Sequence, residues 1–157
     1  AAKTVPSDGT VLVFDSYNRM VKSTCSVETR VHQIKEGPWT WQGFLRLTAE
    51  PQCKFVHGQS GTAGVDVSSH VIYALAQTMY EGGKACSFNN PCEISPNGHK
   101  TVGKHGQPYA VPVAALYDCF DLETKRFDFH RGTCSLGNAQ PMGLSTGGDS
   151  RGNAVSQ

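Results

Sequence analysis

The sequence predicts a single α+β domain in which one principal helix packs on an antiparallel sheet, with disulfides bracing the fold. Three observations carry this expectation: alternating β-branched segments in the first third, one capped helical stripe, and six cysteines spread over separate segments.

The first strand is Thr10-Val11-Leu12-Val13-Phe14, entered from the turn signal Ser7-Asp8-Gly9. From Val27 to Ile34, Val27, Thr29 and Val31 alternate with Glu28, Arg30 and His32, the pattern of a half-exposed strand. After Gly37-Pro38, Trp39, Trp41, Leu45 and Leu47 share one strand face, with Gly43 marking a bulge or a close backbone approach. Lys54-Phe55-Val56 reads as a short fourth strand.

The principal helix is expected after Asp66 or Ser68, either of which supplies an N-cap oxygen. Ile72, Leu75, Ala76 and Met79 follow the i, i+3, i+4, i+7 spacing, and Gly82-Gly83 ends the run. Residues 86–108 are rich in Gly, Pro, Asn and Ser and read as a long loop. Residues 109–120 and 126–130 are then strands around Asp121-Leu122-Glu123-Thr124, a hairpin connection. Residues 1–141 are expected to form the domain and residues 142–157 a flexible tail.

Cys25, Cys53, Cys86, Cys92, Cys119 and Cys134 are even in number and contain no C-x-x-C pair. That pattern suits three disulfides in an oxidising compartment better than a zinc ribbon or a redox motif. Six cysteines allow fifteen connectivities, and proximity favours only the local pair Cys86 and Cys92. Secretion is therefore expected, with any signal peptide already removed, because the first residues lack an apolar core. There is no N-glycosylation sequon and no apolar run of about 18 residues.

Acidic and basic residues number 13 and 14, so global charge does not argue for nucleic acid, membranes or strongly acidic partners. The glycine-rich loop from His57 to Gly64 lacks the P-loop lysine, the G-x-G-x-x-G spacing and the G-x-S-x-G elbow, so it reads as a connection. Cys86, Cys92, His99 and His105 have unsuitable spacing for a zinc finger, and disulfides account for the cysteines. Trp39, Trp41 and Phe44 could form a sugar-stacking platform, but the tryptophans share a face with Leu45 and Leu47 and read as core; exposed indoles would reverse that. His99, Lys100, Lys104 and His105, with Lys125, Arg126, His130 and Arg131, would form a cationic patch if the loop folds over the last strands. Histidine acid–base chemistry beside a phosphate-binding arginine is the toolkit of RNA cleavage, against which stands a plain solvated face.

From Cys53 onward the order is strand, capped helix, long loop, Pro108-Tyr109-Ala110-Val111-Pro112-Val113, then Lys125-Arg126-Phe127-Asp128-Phe129. This resembles the guanyl-specific fungal ribonucleases and the ribonuclease-like secreted effectors of plant-pathogenic fungi, over roughly half the chain. The resemblance implies a phosphate-binding role for Arg126 and matches His99 to a histidine of the preceding loop. It implies a catalytic glutamate at the position held here by Ala110, and a later catalytic histidine with no counterpart after Cys134.

The expectation is a secreted, monomeric, non-catalytic effector or toxin-like protein that binds a host or competitor protein. It includes weak, salt-sensitive RNA binding, no membrane partner, no cofactor and no metal. The alternatives are an active secreted ribonuclease with His99, His105, Arg126 and His130 as catalytic residues, and a carbohydrate-binding module using the tryptophans.

Overall fold

The computed structural model describes residues 2–17, 20–49, 51–128 and 132–134. In chain order its first strands are β1 (Val11–Ser16), β2 (Val21–Arg30), β3 (Gln33–Glu36), β4 (Trp39–Gln42), β5 (Leu45–Leu47), β6 (Ala63–Asp66) and β7 (Ile72–Met79). There follow β8 (Cys92–Ile94), β9 (Lys100–Val102), β10 (Pro108–Pro112), the helix α1 (Val113–Asp118), β11 (Phe120–Asp121) and β12 (Arg126–Phe127).

β1, β2, β5, β10, β7 and β6 close, in that spatial order, into an antiparallel barrel. β4, β3, β8 and β9 form a second, four-stranded sheet, and β11 and β12 a two-stranded one.

The expected α+β architecture is thus overturned: the segment read as the principal helix is a barrel hairpin, β6–β7. The carboxylate of Asp66 accepts the backbone N–H groups of Ser68 and Ser69 at 3.3 and 3.1 Å, and both of their hydroxyls. An N-cap uses this chemistry, and so does a turn in which an aspartate binds the backbone just ahead of it. Here His70 follows at φ 58° and the chain reverses. In β7, Ala74 and Ala76 are buried in the barrel core while Leu75 packs on the other side, so a period of two decides the element. The α-helix among the described residues is α1, six residues long.

The barrel interior holds Leu12, Phe14, Cys25, Val27, Leu45, Leu47, Phe55, Ala74, Ala76 and Ala110. Alanines at three of these positions suit a narrow barrel, in which opposing strands leave little room. Lys54-Phe55-Val56 is not a strand; Phe55 plugs into this core, its ring edge-on to Phe14 with centroids 5.0 Å apart.

β10 is buried along its whole length because it is covered twice. Ala110 belongs to the barrel core, whereas Tyr109 and Val111 join Val31, Ile34 and Phe44 in a second core between barrel and second sheet. Beyond β10 the expected strand over residues 109–120 gives way to α1 and β11; Phe120 pairs with Phe127 and Asp121 with Arg126 across the expected hairpin connection.

The segment read as one strand from Trp39 to Thr48 is two strands in two sheets. Gly43 makes the break at φ +70°, a conformation side chains disfavour, and the Arg30 guanidinium occupies the space a Cβ would need. The chain thereby leaves the second sheet at β4 and enters the barrel at β5.

All six cysteines pair: Cys25–Cys53, Cys86–Cys92 and Cys119–Cys134, at sequence separations of 28, 6 and 15. These bonds are compatible with a secreted or extracellular protein. Among the described residues no helix is long and apolar enough to cross a membrane. The expected tail, residues 142–157, lies outside the described residues.

Candidate functional site

The loop closed by Cys86–Cys92 builds a seam between barrel and second sheet. Its Cys86 carbonyl accepts Gly37 N–H at 2.9 Å, and its Asn89 carbonyl accepts Glu81 N–H at 3.1 Å. Asn89 N–H in turn donates to Glu36 Oε1 at 2.7 Å, and the same oxygen accepts Thr78 Oγ1–H at 3.1 Å. One carboxylate from β3 therefore holds both a barrel strand and the disulfide loop. Burial raises the pKa of Glu36; the Asn89 and Thr78 hydrogen bonds pull it down, and the negative charge of Glu81 adds to the rise.

Glu36 pairs with Trp39 in register, and Ile34 with Trp41, so the tryptophans lie on the sheet face that meets the barrel. Trp41 is half-buried and stacks on buried Phe44 at 5.5 Å, which matches the core expectation for that residue. Trp39, at the rim, does not: it is 41% exposed, and its ring meets that of Phe88, 58% exposed, in an edge-to-face contact at 5.0 Å. Gly37, at φ +56°, lies under Phe88; a Cβ there would stand 3.3–3.4 Å from three consecutive ring atoms, so one face of the ring rests on backbone.

Directly beyond Phe88, Asn89 helps line a cleft with His57, Gln59, Ser60, Gln77, Thr78, Met79 and Glu81. His57 Nε2 and Glu81 Oε1 are 2.7 Å apart. Gln59 is buried, with its Oε1 accepting Val56 N–H at 3.0 Å. Its Nε2 is the one buried side-chain nitrogen or oxygen among the described residues that lacks a partner. Glu81 also borders a second cleft on its other side, lined by Lys54, Tyr80 and His105 among others.

Of the residues expected to cleave RNA, His99, His105 and Arg126 stand on separate elements. His99 ends the β8–β9 turn, where its N–H donates to Ser95 Oγ at 3.1 Å. His105 sits in the β9–β10 connection with its ring over Gly82. Arg126 is on β12, in the separate two-stranded sheet, with Lys125 beside it. His130 and Arg131 lie outside the described residues. Ala110, where the resemblance implies a glutamate, is fully buried inside the barrel. No cluster of three or more His, Cys, Asp or Glu suited to a metal occurs among the described residues.

Sequence reasoning missed Glu36, Glu81 and Asn89. Glu36 precedes the Gly37-Pro38 break and Glu81 precedes Gly82-Gly83, so both read as residues at the ends of elements. Only strand pairing brings them together.

The fold and the seam define a disulfide-braced, all-β protein with a mixed aromatic and polar surface at the junction of its two sheets. No protein-family model matches the chain, and neither curated proteins nor solved structures give a match.

Proposed function

We propose that this chain is a secreted, non-catalytic binding protein that acts on a host or competitor target. The observation that carries the reading is the exposed Trp39–Phe88 pair, two large aromatic rings in edge-to-face contact, one on β4 and the other on the loop tied by Cys86–Cys92. Aromatic side chains pre-positioned at a surface supply contact area at low entropic cost, as interface anchors do. The ribonuclease reading is less well supported, because the Ala110 position faces the barrel core and His99, His105 and Arg126 stand on separate elements.

The test is crosslinking capture from extracellular fluid of candidate hosts or competitors, run in parallel on native protein and Phe88→Ala. A saturable partner lost in the variant is the expected result. His-dependent RNA turnover by purified protein would overturn the reading, as would capture that is indifferent to Phe88 and Trp39.

A further inference from the structure

We infer that the seam binds a neutral oligosaccharide, with sugar rings stacking on Phe88 and Trp39 and their hydroxyls bonding the wall of the adjoining cleft. This rests on the binding-protein reading and names the ligand class.

A pyranose has an apolar face of C–H groups and a rim of hydroxyls that both donate and accept. The seam presents the complement of each. The Phe88 ring lies against Gly37 on one side, meets Trp39 edge-to-face, and remains 58% exposed. Asn89, the next residue in the chain, lines a cleft that offers amides, hydroxyls and one carboxylate: Gln77, Gln59, Ser60, Thr78 and Glu81. Ser60 Oγ–H donates to the Gln77 carbonyl at 3.2 Å, so its lone pairs are left to accept.

Gln59, with its buried Nε2 unpartnered, belongs to the wall behind these groups. Charge narrows the class further. The ionisable groups lining the cleft are His57 and Glu81, already paired with each other, and buried Glu36 stands behind them. Among the described residues lining this cleft no cation stands apart from the His57–Glu81 pair for an anionic sugar or a nucleic acid, whereas a neutral sugar needs none. A peptide adding to the edge strand β4 would use backbone hydrogen bonds and leave the cleft empty.

Both tryptophans of the chain, Trp39 and Trp41, belong to this surface, so intrinsic fluorescence reports on it directly. The experiment titrates the full chain with cellohexaose, laminarihexaose, chitohexaose and mannohexaose, reading tryptophan emission and calorimetric heat. Saturable binding to at least one of them is expected, weakened about tenfold by Phe88→Ala and by Gln77→Ala, since tenfold corresponds to one modest contact. Lys125→Ala, in the turn between β11 and β12, serves as the unaffected control. The inference is overturned if folded protein binds none of the four, or if binding survives Phe88→Ala unchanged. Should no sugar bind while a protein partner is captured in a Phe88-dependent way, the glycan assignment falls and the binding-protein reading stands. Should neither bind, both fall.

Discussion

Tyr109, on barrel strand β10, donates its phenolic hydrogen to Glu93 Oε1 on β8 at 2.9 Å, a side-chain bond from barrel to second sheet. Arg46 approaches the same carboxylate from β5, with Nη1 2.9 Å from Oε2, and reaches Glu28 as well. Burial, followed by the Glu93 charge, pushes the Tyr109 hydroxyl far up, so it stays a neutral donor through the alkaline range. Tyr109→Phe removes the bond but leaves Glu93 its arginine, and should cost about 1–2 kcal/mol in urea unfolding. Glu93→Ala leaves Tyr109 without its acceptor and Arg46 with Glu28 alone, and should cost more, about 2–3 kcal/mol. Equal losses for the two variants would contradict the shared role of the carboxylate.

Asp66 should give the protein an acid-sensitive turn. Four donors from Ser68 and Ser69 hold its pKa down at about 2, below the ordinary 3.8. A carboxylate whose pKa falls on folding stabilises above its unfolded value and loses that contribution as pH drops through the folded one. Asp66→Ala should therefore lower the melting temperature at pH 7, with the gap to native protein closing between about pH 4 and 2. Circular dichroism melts across that range read the outcome, and a gap independent of pH would refute the assignment.

Glu36 should behave in the opposite sense. Its pKa rises on folding, so its ionisation opposes folding and native stability declines as pH climbs from the unfolded value of 4.5 through the folded one. Glu36→Gln keeps an acceptor for Asn89 and Thr78 and cannot ionise. Its stability relative to native protein should grow over that interval, and Glu36→Ala, which orphans the Asn89 N–H, should be destabilised throughout. Chemical denaturation at pH 4, 6 and 8 separates the cases.

The disulfides should not be equivalent. Closing 28 residues removes more freedom from the unfolded chain than closing 6. Loop-closure entropy gives about 4 kcal/mol for Cys25–Cys53 against about 2 for Cys86–Cys92. Paired Cys→Ala variants compared by denaturation should show that order. The shorter bridge should instead show its effect at the seam, where its loss frees Phe88 and Asn89, as a drop in ligand or partner capture.

What the sequence disclosed was local. The local disulfide Cys86–Cys92, the first part of the strand expected over residues 109–120 and the hairpin around Asp121 rest on residues close together in the chain, and the structure contains each. The helical reading fails because Asp66 and its serines make the same hydrogen bonds in an N-cap and in a turn, and because β7 packs apolar residues on both sides, which lets Ile72, Leu75, Ala76 and Met79 show helical spacing without sharing a face. Barrel closure decided between them: Ala74 and Ala76 were small enough to face Leu12 and Phe14. The seam was illegible for a different reason. Glu36 and Asn89 lie 53 residues apart and meet only once β3 has paired with β8.

β10 is also the keystone of the barrel. Without it, the remaining strands still stand in an unbroken row, β5, β2, β1, β6 and β7, and β10 fits between the two ends of that row. The five barrel strands that precede it in the chain have, by themselves, two open margins, on β5 and on β7, and β10 closes both. The vacancy has a defined width and register: Tyr109 opposite Arg46 on one side and Thr78 on the other. It makes the protein divisible in principle, a long fragment ending before Pro108 and a short one carrying β10 and α1, each incomplete and each recognising the other.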